Sequence, residues 1–281
     1  MLKHRLQTGV LLSIAFLLCV FFLPAPATLV VLLLLCGLSL VEFYSFLDAR
    51  RIPHFKIVGL ISGLALVGGT WLAMSYLPAL GADADTVLLF GATAAILLRQ
   101  VSHRDDVHPW QTMAGTLLGV MYVAFFFTFI VKLLTAWGDQ EGRFLILFLV
   151  VVVKCTDIGA YFTGCGIGRH KFIPRISPNK TWEGCIGGVA CGMLASYLYL
   201  LARQGRMGEV IMHTHDALIA GFILAVTGIA GDLIESLLKR AAGVKDSGTM
   251  LLGMGGILDV LDSLLFAAPV LYVYALLFMT G

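Results

Sequence analysis

The chain is 281 residues long, 59% hydrophobic and only 13% charged, with a mean hydropathy of +0.94. So few charges cannot cover the surface of a soluble protein of this length, which argues against any soluble enzyme or binding module. A net charge of +2 gives no electrostatic basis for a nucleic-acid partner, and none is expected.

Taken in chain order, the apolar runs predict an all-α polytopic membrane protein, since a spanning helix needs about 20 such residues. Nine transmembrane helices are expected, at roughly 9–23, 28–47, 57–77, 84–101, 112–134, 143–163, 184–202, 216–238 and 261–279. Residues 1–281 read as a single integral-membrane domain, with N-terminal helices to roughly 110 and C-terminal helices over roughly 112–281 that hold the candidate chemistry. Lys3 and Arg5 before the first run, with Ala25-Pro26-Ala27 after it, have the form of a signal peptide. A second apolar run begins at once, so the segment reads as a first membrane helix. Pro24, Pro26, Pro53, Pro78 and Pro109 mark the first four turns. No internal repeat suggests the inverted halves of a transporter. Six cysteines occur without C-x-x-C or zinc-type spacing and read as packing residues.

Basic residues orient the helices. Fourteen lysines and arginines fall on one side of this topology, and four (Lys132, Arg143, Arg203 and Arg206) on the other. The bias puts the N-terminus and the two longest loops, 164–183 and 239–260, in the cytoplasm; the membrane expected to hold the chain is the inner (cytoplasmic) one.

Three places hold polar groups where a bilayer makes them costly. In the sixth helix Lys154 and Asp157 are three apart and share a face, as a structural ion pair or as the wall of a polar site. The following stretch contains Gly164, Gly166, Gly168, Arg169 and Lys171, then Ser177-Pro178-Asn179-Lys180-Thr181-Trp182-Glu183-Gly184. Glycines allow close approach to a ligand, and cations with successive N–H groups suit phosphate. Ser177 or Thr181 is a candidate cap for the next helix. At the end of the eighth helix, Asp232, Ser236 and Lys239 recur at i, i+4 and i+7 on one face, with Arg240 beside them. Last come Lys245-Asp246-Ser247-Gly248 and Gly253-Met254-Gly255-Gly256, with Asp259 and Asp262 three apart at the start of the ninth helix. The two acids either cap that helix or hold a hard cation such as Mg²⁺. Acids for a cation, bases for phosphates and mobile glycine loops together suit phosphoryl or nucleotidyl transfer to a lipid.

These residues resemble the phosphatidate cytidylyltransferase family. The likeness rests on Ser236-x-x-Lys239-Arg240, Lys245-Asp246, Gly255-Gly256 and Asp259-x-x-Asp262, with Asp157-x-Gly-Ala-Tyr and Ser177-Pro-x-Lys-Thr-x-Glu-Gly. The resemblance implies a homodimer of nine-helix subunits that uses CTP and phosphatidic acid, with a metal centre on Asp232 and Asp259 and Mg²⁺ as cofactor, a second cation being possible. It implies catalytic roles for Asp232, Asp259, Lys239 and Asp246, and substrate contacts for Asp157, Ser177, Lys180, Thr181, Glu183, Ser236, Arg240, Lys245 and Asp262. Met254 stands where the family usually has histidine, and Val260 where it has arginine. The residues alone leave three rivals open. These are a CTP-dependent kinase of polyprenol type, an inactive relative, and a transporter lined by Lys154, Asp157 and Asp232.

Overall fold

The fold is described from a computed structural model, for residues 2–77, 83–103, 107–207, 210–248 and 255–279. Pro78 and Met254 lie outside the described residues. Among those described, nine helices follow one another: α1 (Leu2–Phe22), α2 (Ala25–Ala49), α3 (Lys56–Tyr76), α4 (Ala84–Ser102), α5 (Pro109–Thr135), α6 (Asp139–Ile167), α7 (Trp182–Arg203), α8 (Thr214–Ala242) and α9 (Leu258–Met279). All but α1 are long and apolar enough to cross a membrane, and α1 is apolar over Leu11–Phe22. The chain is an all-α polytopic membrane protein, as the apolar runs predict. Helices are the open-chain solution in lipid because they satisfy every backbone N–H and C=O internally.

Punctuation follows the local chemistry. Pro24 is the N-cap of α2 and Pro109 opens α5, each where the missing N–H costs nothing. In α5, Val120–Phe125 widens into a π-helical stretch that begins after Gly119, which packs against the ring of Tyr44. The α8 end is a Schellman motif. Gly243, at φ +77°, donates to Arg240 O, and Val244 donates to Lys239 O. Arg50 Nε reaches Ala241 O at 2.7 Å, placing a cation on the negative end of that helix.

The region expected as a loop over 164–183 is more ordered than the sequence suggests. Helix α6 runs on to Ile167, and a two-stranded antiparallel hairpin follows, β1 (Lys171–Ile173) and β2 (Ser177–Thr181). A second small hairpin joins β3 (Arg206–Met207) to β4 (Val210–Ile211) between α7 and α8.

The chain gathers into two compact units, Met1–Thr135 with Leu238–Val260, and Ala136–Leu237 with Leu261–Gly281. The core of the first holds Leu40, Phe43, Tyr44, Leu66 and Phe127. It also buries an ion pair, Lys132 Nζ to Asp85 Oδ2 at 2.7 Å, each side chain under a tenth exposed. In the second, α6 and α7 meet along a stripe of small residues. A side chain at Gly188 would collide with Thr156 O and Ala160 Cβ, both at 2.9 Å. Such residues let helix backbones approach closely.

Candidate active site

In the second unit the polar residues converge on Asp232. Lys180, the last cation of β2, places Nζ 2.9 Å from Asp232 Oδ2 and 3.4 Å from the Ile229 carbonyl. Lys154 and Asp157 pair at 3.7 Å on the shared face of α6, and both lie within Coulombic reach of Asp262. Ser236 donates to Asp232 Oδ1 at 3.3 Å, one turn along α8. Carboxylate oxygens of Asp232, Glu235 and Asp262 come within 4.8 Å of one another. Glu235 is fully buried and Asp262 nearly so. Three clustered carboxylates in a membrane helix region are a donor set for a hard divalent cation, which takes a few carboxylates and fills its other positions from water or phosphate.

The sequence singles out Asp232 and Asp262 but passes over Glu235. Its signal was present, since Glu235 stands three residues after Asp232 as Asp262 does after Asp259.

The hairpin before α7 is fixed by its own side chains. Thr181 is the N-cap of α7, its Oγ1 accepting from Gly184 N–H at 3.1 Å. Glu183 accepts from the backbone N–H of Arg169 and of His170, each at 3.2 Å, and lies 2.6 Å from His170 Nδ1. Thr181 and Glu183 therefore shape the segment that presents Lys180. Ser177 opens β2, opposite Ile173. Most of the glycines expected to approach a ligand serve close packing, whereas Gly166 has open space around it. Gly164 and Gly184 lie against each other and against Thr181, and Gly188 lies against α6.

The first unit carries a second cluster, around Asp259. Lys239 Nζ lies 2.5 Å from Asp259 Oδ1. Asp259 Oδ2 accepts from Ser247 N–H and Gly256 N–H, each at 2.8 Å. The Ser247 hydroxyl lies 2.8 Å from that same oxygen and 3.0 Å from Glu42 Oε2, so its one hydrogen serves two carboxylates. Glu42, 5% exposed in the middle of an apolar helix, also accepts from Ile257 N–H at 2.9 Å and Leu258 N–H at 2.8 Å. These N–H groups lie at the N-terminus of α9, on its first residue and the one before it, where a helix offers no internal partner. Glu42 therefore caps α9 from α2 and joins Ser247 to the same point. Nothing near Glu42 in sequence announces this role.

Asp259, expected to share a metal with Asp232, has its oxygens engaged by Lys239, Ser247 and Gly256, whereas Asp232 finds its carboxylate neighbours in Glu235 and Asp262. Arg240 and Lys245 are exposed and Asp246 is half-buried.

Lysine–aspartate pairs and clustered carboxylates set among membrane helices suit one class of protein, an integral-membrane enzyme that handles phosphate compounds. The pattern of the cytidylyltransferase family matches residues 3–278, and the chain belongs to that family. It is 33% identical over 286 residues to the phosphatidate cytidylyltransferase of Bacillus subtilis (strain 168), covering 99% of this chain and 98% of that protein. It is 34% identical over 259 residues to the phosphatidate cytidylyltransferase of Staphylococcus epidermidis (strain ATCC 12228 / FDA PCI 1200), covering 89% and 92%. A 137-residue stretch, 48% of this chain, is 42% identical to the uncharacterized protein YnbB of Escherichia coli (strain K12), covering 43% of it.

Proposed function

We propose that the protein transfers the cytidylyl group of CTP to phosphatidic acid, giving CDP-diacylglycerol and pyrophosphate. The observation that carries this reading is the Lys180–Asp232 pair set beside Glu235 and Asp262, in a chain alike over nearly its whole length to phosphatidate cytidylyltransferases. An oxygen of the lipid phosphate attacks the α-phosphorus of CTP. The bond from that phosphorus to the bridging oxygen breaks, and pyrophosphate leaves with the electron pair. The attacking phosphate is already anionic, so no strong general base is required. What the protein must supply is alignment and positive charge.

Lys180 offers a cation at the end of the hairpin, in contact with Asp232 and the Ile229 carbonyl. Lys239, Arg240, Lys245 and Asp246 are assigned to substrate contacts, with Asp259 orienting Lys239. In the second unit, Asp157, Ser177 and Ser236 complete the polar lining around Lys180 and Asp232. Mg²⁺ suits the carboxylates of Asp232, Glu235 and Asp262, and when bound it supplies charge neutralisation for a triphosphate. Assembly as a homodimer and residence in the inner membrane belong to the same proposal. Light scattering of detergent-solubilised protein and membrane fractionation test them.

The decisive assay gives purified protein phosphatidic acid, labelled CTP and Mg²⁺. Labelled lipid and pyrophosphate are expected, with turnover falling by at least roughly 10²-fold in Asp232→Asn. Phosphorylated lipid with CDP as co-product would replace this reading with a kinase. Wild-type turnover in Asp232→Asn would remove Asp232 from the site.

A further inference from the structure

The second unit contains an apolar cavity of about 490 Å³ along α7 and α8, within the roughly 300–1,000 Å³ typical of ligand sites. Trp182, Ile186 and Val189 line it from α7, and Phe222, Val226 and Leu233 from α8. The ring of Phe172, from β1, stands edge-on to Trp182 at 4.5 Å and forms the rim beside the hairpin.

Two features identify the occupant. The first is where the groove ends. Ile229 and Leu233 belong to its lining. Lys180 donates to the Ile229 carbonyl and pairs with Asp232, the residue before Leu233. The apolar groove therefore opens beside the cation assigned to phosphate. The second is depth. From Leu233 back to Phe222 is eleven residues of α8, about 16 Å at 1.5 Å per residue. That equals about half of a hydrocarbon core roughly 30 Å thick. A slot one leaflet deep, with a lysine at its polar end, has the dimensions of one acyl chain below a phosphate headgroup.

We infer that this groove seats one acyl chain of the phosphatidic acid substrate and thereby sets the register of its phosphate at Lys180. The inference rests on the function proposed above. In a bilayer the chain leaves surroundings as apolar as the groove itself, so the seat adds little affinity. Its effect is geometric, because a chain held at fixed depth presents its phosphate at a fixed height.

Val226 sits six residues before Asp232, about 9 Å deeper. Counting the glycerol between phosphate and ester, a six-carbon chain ends at about this level, whereas an oleoyl chain runs far past it, so a bulky side chain here obstructs the longer chain more. In Val226→Trp the ratio of kcat/KM for dioleoyl over dihexanoyl phosphatidic acid is expected to fall at least tenfold. Leu198→Trp, on α7 outside the groove lining, should leave that ratio unchanged. A ratio unaltered in Val226→Trp, or lowered equally in Leu198→Trp, overturns the proposal. The second arm needs no turnover. Unaltered protein is irradiated with phosphatidic acid carrying a diazirine in one long acyl chain, and adducts are mapped by mass spectrometry. Adducts on Ile186, Val189, Phe222 or Val226, suppressed by excess dioleoyl phosphatidic acid but not by phosphatidylcholine, are expected. Adducts elsewhere, or equal suppression by phosphatidylcholine, overturn the groove. If the wild type forms no CDP-lipid, the proposed reaction fails, and this arm still decides whether the groove binds the lipid.

Discussion

Replacing Glu42 by alanine withdraws one carboxylate from three donors that lie more than 200 residues away in sequence. The Ser247 hydroxyl keeps Asp259 as acceptor at 2.8 Å, so it loses little. The N–H groups of Ile257 and Leu258 have no such alternative within the first turn of α9. Leu258 is fully buried, which keeps water from taking the place of the lost acceptor. Each buried donor left unsatisfied costs about 1–3 kcal/mol. Loss of a helix cap alone costs about 1 kcal/mol. Together the two amides put the loss at about 2–5 kcal/mol. By the scaling of domains of comparable size, that lowers the unfolding midpoint by roughly 5–15 °C. Thermal unfolding in detergent, followed by intrinsic fluorescence, measures it. Glu42→Gln keeps one carbonyl oxygen but turns an NH₂ toward a donor, so it should show most of the same loss. Turnover should fall in both variants, because the loop that Glu42 holds also holds Asp259 and, through it, Lys239. A midpoint shift under about 2 °C in Glu42→Ala would mean that these hydrogen bonds contribute nothing net, and the capping argument would fail.

Two further outcomes follow from other parts of the first unit. Asp85→Ala leaves Lys132 buried without its 2.7 Å counter-ion and should cost about 3–5 kcal/mol. Kinetic constants per folded molecule should be unchanged, and equal stability of mutant and wild type would contradict the expectation. Gly255 adopts φ +101°, and a side chain there would press on Asp259 Oδ2 and lie 2.9 Å from Asp246 Cβ. Gly255→Ala should therefore lower turnover at least roughly tenfold, the counterpart of about 1.4 kcal/mol. Gly91→Ala, a helical position with open space around it, should cost nothing, and a similar turnover loss there would show that the Gly255 effect is not local.

What the sequence made legible follows from the range over which each signal acts. The nine helices were readable because a membrane demands long uninterrupted apolar runs. The apolar windows stop short of the helix ends because polar helical turns continue past them. Helix α6 is expected over 143–163 and extends over Asp139–Ile167, and α8 is expected over 216–238 and extends over Thr214–Ala242. The glycines after Asp157 suggested a ligand loop, whereas most of them let α7 lie against α6. Short-range pairings were visible from spacing alone, as with Lys154 and Asp157. Pairings across the fold were not. Lys180 meets Asp232 from 52 positions away, and Glu42 meets Leu258 from 216. A lone acid in an apolar helix announces only that it must have a partner, and the partner's identity is a property of the fold.

The two departures from the family pattern bear differently on the site. Met254 lies outside the described residues. Val260 follows Asp259 where an arginine is usual, and its side chain is 7% exposed. An arginine beside an aspartate commonly serves to balance its charge. Here Asp259 already receives Lys239 on one oxygen and two N–H groups on the other. It also sits in the first turn of α9, where the helix dipole favours a carboxylate. The valine therefore leaves Asp259 compensated, and its cluster coheres without the missing cation. What an arginine could add is positive charge for the substrate, and that demand falls on the other basic residues. In the second unit, the proposed phosphate role of Lys180 needs no such arginine, because Thr181 and Glu183 on either side of the strand end hold the backbone that carries it.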